Sequence, residues 1–81
     1  MARYLADPLS SSGHFKKAVK DDDAPLEGTT IALLVGVGGT ANLMDESGEI
    51  KTDVPLQQGY NPLRVKQVRL GGTADDIWEL Y

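Results

Sequence analysis

Between residues 30 and 37 the chain is apolar at nearly every position, and the apolar side chains fall on both faces of an extended strand. Ile31, Leu33, Val35 and Val37 share one face, and Ala32, Leu34 and Gly36 share the other. A strand covered on both sides reads this way. In a monomeric sandwich of this size one face should turn polar. The second apolar face therefore predicts a cover, either the N-terminal segment or, preferably, a neighbouring copy of the chain. The simpler reading is that Ala32 and Gly36 are small enough to face solvent, which leaves only Leu34 to account for.

The pattern continues as a run of short strands. Gly38-Gly39 predicts a tight hairpin, two glycines tolerating the positive φ that such a turn requires, with residues 40–44 returning as the partner strand. Asp45-Glu46-Ser47-Gly48 predicts a type I turn with Gly48 left-handed, and residues 50–54 alternate as a half-exposed strand. Residues 55–62, closed by Pro55 and Pro62, predict a loop crossing between sheets. Apolar residues at 63, 65, 68 and 70 slip out of alternation, and a β-bulge near Lys66-Gln67 restores both pairs to the core side. Gly71-Gly72-Thr73-Ala74-Asp75 predicts a turn and residues 76–81 a final strand, with Trp78 and Leu80 on one face and Ile77, Glu79 and Tyr81 on the other. One ring is expected in the core and the other at a partner, unless both pack within the chain.

Residues 1–24 differ from the rest. Pro8, Ser10-Ser11-Ser12-Gly13, the lysines at 16, 17 and 20, and Asp21-Asp22-Asp23 show little apolar periodicity and read as an extended N-terminal arm, with a short strand near Phe15 to Lys20. The prediction is a small antiparallel β-sandwich or barrel over residues 25–81, preceded by that arm, all-β in class.

Composition sharpens this. The chain has 81 residues, near the lower limit for a self-supporting core, where a staple is usually needed. With no cysteine and one histidine, a disulfide is excluded and a structural zinc disfavoured. Oligomerisation remains. A net charge of −4 argues against a nucleic-acid surface, which needs clustered Lys and Arg. No apolar run approaches the roughly 18 residues of a membrane span, and Met1 to Pro8 lacks a signal-type apolar stretch, so a soluble protein without membrane contact is expected.

Candidate chemistry is sparse. Gly36-Val37-Gly38-Gly39-Thr40 lacks the spacing, following helix and lysine of a phosphate loop. Asp21-Asp22-Asp23 lacks the alternate-oxygen spacing of a calcium loop and reads as a solvated charge run. His14 sits among loop residues with no nucleophile motif beside it. Asp45/Glu46 and Asp75/Asp76 fall in predicted turns, where Asp caps backbone amides. No catalytic, cofactor or metal site is expected, and the chain reads as no enzyme.

Val19-Lys20-Asp21-Asp22-Asp23-Ala24-Pro25-Leu26, then Ala32-Leu33-Leu34-Val35-Gly36-Val37-Gly38-Gly39, then Pro62-Leu63-Arg64-Val65-Lys66-Gln67-Val68-Arg69 and the closing Leu80-Tyr81 resemble the head spike base proteins of tailed bacteriophages and gene transfer agents. The similarity spans residues 15–81 and rests on turn glycines, strand pattern and the terminal tyrosine. The resemblance implies a structural virion protein assembled in the host cytoplasm. It would sit on the capsid surface at the five-fold vertices and carry a spike or fibre. The partners so implied are the major capsid protein, the spike or fibre protein and the chain itself, as a pentamer or alternatively a trimer. Phe15, Val19, Leu34, Trp78 and Tyr81 are the expected interface residues. A capsid decoration (cement) protein at three-fold positions is the alternative. A free carbohydrate-binding module is the rival from another class, for which Tyr60 is the one suitable loop aromatic.

Overall fold

A computed structural model describes residues 13–24, 26 and 28–81. Residues 1–12 of the expected arm lie outside the described residues. Among the described residues seven strands form: β1 (Phe15–Lys17), β2 (Ala32–Val37), β3 (Gly39–Asp45), β4 (Ile50–Leu56), β5 (Gly59–Asn61), β6 (Val65–Arg69) and β7 (Asp75–Leu80). They make two antiparallel sheets, one ordered β1-β7-β2-β5 and the other β4-β3-β6. The fold is the small all-β architecture that the strand pattern predicts. Leu33, Val35 and Ile77 from the first sheet meet Ala41, Leu43, Leu56, Val65 and Val68 from the second, with Ala74 closing one end. Burial of these side chains is the main favourable term, at about 1.5–3 kcal/mol for each fully buried aliphatic residue.

Parity explains the inner faces. In β2 the alternate residues Leu33 and Val35 enter the core while Leu34 stays exposed. The slip in β6 is resolved as expected. Gln67 lies opposite Met44 and Val65 opposite Asp45, so Lys66 is the extra residue of a bulge, and Val65 and Val68 both turn inward. A second bulge lies in β4, where Ala41 faces Val54 but Leu43 faces Lys51. Asp53 there has a φ of 55°, and the Asn42 side chain holds the distortion, accepting the Asp53 N–H at 3.0 Å and donating to the Leu70 carbonyl at 2.9 Å.

Gly38-Gly39 corrects the sequence reading. β2 and β3 do not pair with each other; they belong to different sheets, and neither glycine has a positive φ. The chain bends there from one sheet into the other. Glycine is required for closeness instead: a Cβ on Gly39 would stand 2.8 Å from the Ala74 nitrogen, and one on Gly38 would stand 3.0 Å from the Gln58 nitrogen. The turn at residues 45–48 forms as predicted. Gly48 has a φ of 93° and its N–H donates to the Asp45 carbonyl at 3.0 Å.

The segment read as a loop over 55–62 does cross between sheets. Most of it is strand, however: Pro55 and Leu56 complete β4, and Gly59–Asn61 forms β5. Asn61 is buried and closes the short connection by accepting from the Gln57 N–H and donating to the Gln57 and Gly59 carbonyls, each at 3.0 Å. Leu70, expected on the core side, is exposed beyond the end of β6.

The described part of the N-terminal segment lies along the body. After β1 pairs with β7, Ala18 donates to Ile77, Asp21 to Val68, Leu26 to Lys66 and Thr30 to Val65 through backbone N–H groups. The free edge of β6 is thereby covered. In Asp21-Asp22-Asp23, expected to be a solvated run, Asp22 and Asp23 are exposed, and Asp21 and Asp22 also accept backbone hydrogen bonds. Asp21 Oδ1 accepts the Asp23 N–H at 2.8 Å, and Asp22 Oδ1 accepts the Leu70 N–H at 3.0 Å. Lys20 Nζ adds a bond to the Ala74 carbonyl at 2.7 Å.

Candidate functional site

The side of the first sheet that points away from the core carries a contiguous apolar surface. Strand register builds it in two rows. Phe15 lies opposite Leu80, and Leu80 opposite Ala32, which is itself fully buried; Lys17 lies opposite Trp78, Trp78 opposite Leu34, and Leu34 opposite Tyr60. Directly opposed side chains on one sheet face are near enough to touch. Phe15, Leu34, Trp78 and Leu80 line an open hollow of about 380 Å³.

A strained residue fixes the tryptophan. Asp76 has a φ of 53°, a left-handed conformation uncommon for a residue with a side chain. Its carboxylate folds across Gly36 of β2. Asp76 Oδ1 accepts the Trp78 indole Nε1–H at 3.0 Å, and Lys17 Nζ pairs with the same oxygen at 3.5 Å. A Cβ on Gly36 would come within 2.8 Å of the Asp76 Cβ, so the glycine leaves the space this arrangement occupies. Asp75 and Asp76, read as turn residues, belong to β7.

The chemistry of the face follows. Its charged groups, Lys17 and Asp76, are paired with each other, and the indole donor is already satisfied. The four side chains that line the hollow are apolar apart from the bonded indole N–H, and the hollow suits apolar side chains.

Three of the five predicted interface residues, Phe15, Leu34 and Trp78, come together here. Val19 and Tyr81 do not. Val19 is exposed and borders a separate hollow of about 170 Å³, alongside Lys16, Asp21 and Leu26. Tyr81 is half-buried at the opposite side of β7, its hydroxyl donating to Glu79 Oε1 at 2.7 Å and its ring 5.3 Å from that of His14. Neither large ring of the last strand joins the buried core. Leu80 and Tyr60 complete the face and were absent from the predicted set. For Leu80 the signal was parity with Trp78. For Tyr60 it was hidden, because the strand that carries it reads as loop.

Asp45 serves local structure. Asp45 Oδ1 accepts the N–H groups of Ser47 and Glu49 at 2.9 and 3.0 Å and the Ser47 hydroxyl as well. The Ser47 hydroxyl is the largest cause holding the Asp45 carboxyl below its ordinary pKa, reinforced by the two backbone donors and Lys51 and opposed by desolvation. Among the described residues, no three of His, Asp and Glu converge into a group able to hold a metal ion. No protein-family model matches the chain, and no curated protein or solved structure matches it either.

Proposed function

We propose that this chain is a structural virion protein, the base of a head spike or fibre attached to the capsid at its vertices, and not an enzyme. The observation that carries the reading is the neutral apolar outer face of the first sheet, a contiguous apolar surface of the kind that marks a contact site. It agrees with the resemblance of residues 15–81 to head spike base proteins. Asp45 is occupied in its turn, Asp21 and Asp22 in the segment that covers β6, and Asp76 in holding Trp78. In this role the protein is a homo-oligomeric ring, pentameric at a five-fold vertex, that joins the major capsid protein to the spike or fibre. The test is cryo-electron microscopy of particles assembled with a tagged chain. Density for the tag at five-fold vertices is the expected result. Density at three-fold positions would convert the assignment to a decoration protein, and particles without the chain would overturn both.

A further inference from the structure

We infer that the outer face of the first sheet is the contact surface for a second copy of this chain, with Leu34 and Trp78 at its centre. The inference deepens the assembly reading above and relies on it for the identity of the partner.

Area supports it first. At the 150–250 Å² an aromatic side chain brings to a contact, Phe15, Leu34 and Tyr60, exposed by 63, 44 and 38 %, together with parts of Trp78 and Leu80, offer roughly 400 Å² of apolar surface. A standard interface buries about 800 Å² per partner, an apolar centre within a polar rim. The face supplies a centre of that size.

Charge supports it next. The chain carries a net charge of −4, so two copies repel over most approaches. This face carries one cation and one anion already paired with each other, so a different patch of a neighbouring copy, as a ring requires, can seat on it without burying an unmatched charge. Rigidity adds to this: the Asp76 carboxylate holds the Trp78 indole in place before any partner arrives, which lowers the ordering cost of contact.

The competing route between identical β proteins is strand-on-strand pairing at sheet edges, and here it is closed. β4 is bulged at Asp53 and carries Pro55, β6 is covered by residues 21–26, and β1 and β5 are three residues long. Association through a sheet face remains.

The test is light scattering and sedimentation of the purified chain, whose monomer is 8.7 kDa, at about 100 μM, a concentration that fills an interface of micromolar affinity. Wild type is expected to be oligomeric. Leu34→Glu is expected to raise the dissociation constant about thirtyfold or more, as loss of an interface hot spot does. Ile50→Glu, at an exposed position in the other sheet, is expected to keep the wild-type mass. Should Leu34→Glu lower the melting temperature, Tyr60→Lys on the edge strand of the same face repeats the test. Dissociation constants, read by dilution from about 100 μM, that stay at the wild-type value in Leu34→Glu and Tyr60→Lys, or rise only in Ile50→Glu, would overturn the surface. So would a monomeric wild type, whatever particles show. Absence from capsid vertices, with oligomers that Leu34→Glu disrupts, would overturn the spike-base reading and leave this surface standing.

Discussion

Replacing Gly36 with alanine tests the device that fixes Trp78. The new Cβ meets the Asp76 carboxylate and comes within 2.8 Å of both Asp76 Cβ and Cγ, so a rotamer change alone does not relieve it and the β7 backbone has to move. Overpacking of this kind costs about 1–3 kcal/mol. Displacing the carboxylate also breaks its bond to the indole, worth about 1 kcal/mol at a partly exposed site. Against this, alanine in a strand gains about 0.5–1 kcal/mol over glycine. The net expectation is a loss of about 1–3.5 kcal/mol, or a fall in Tm of about 4–28 °C for a chain of this size. Trp78 is the only tryptophan, so its fluorescence follows both the local change and global unfolding in urea. Adding Asp76→Gly removes the clashing side chain and relieves the left-handed backbone strain, and the double variant is expected to regain most of the lost stability. A Gly36→Ala protein as stable as wild type, or a double variant no better than Gly36→Ala, would refute the role assigned to this pair.

Two further outcomes are expected. Thr30 is fully buried; its hydroxyl donates to the Leu63 carbonyl at 3.0 Å and accepts the Val65 N–H at 3.1 Å. Thr30→Val should therefore cost about 1–3 kcal/mol by stranding two buried backbone groups, whereas Thr30→Ser should keep most of the stability in the same urea titration. The Asp45 carboxyl is lowered in the folded state, chiefly by the Ser47 hydroxyl. Its contribution is thus present above the ordinary aspartate pKa and lost as pH falls through the lowered value. Melting curves of wild type and Asp45→Ala between about pH 5 and pH 2 should converge toward the acid end, and a constant gap between them would contradict the linkage.

Much of the fold was legible because it is written in local alternation. The two-faced run at 30–37, the split of Trp78 and Leu80 from Ile77 and Glu79, the bulge at Lys66 and the Asp45 turn all follow from side-chain parity or turn chemistry within a few residues. What escaped depends on distant segments. Two glycines between apolar runs signal a hairpin, yet the same dipeptide serves a bend between sheets when the 73–74 backbone must pass close by. The acidic run at 21–23 reads as solvated because the Leu70 amide it caps lies 48 residues onward. Tyr60 was missed since flanking prolines suppress the strand signal, although a three-residue edge strand tolerates them. At the face itself, sequence parity brought Leu34 and Trp78 into view, while the Asp76 carboxylate folded over Gly36 had no local signature.

The strand order of the first sheet governs when that face comes into being. β7 lies between β1 and β2, although it follows the other described strands in the order of synthesis. Until residues 75–80 have been made, β1 has no partner and β2 is paired only with the short β5, so the rows that unite Phe15, Leu34 and Trp78 do not yet exist. Pairing between strands so far apart in sequence is also slow to nucleate, because closure of the long intervening chain precedes any reward. Nascent chains crowded on a polysome consequently do not present this composed face to one another. Recognition between copies is deferred until each has its last strand in place.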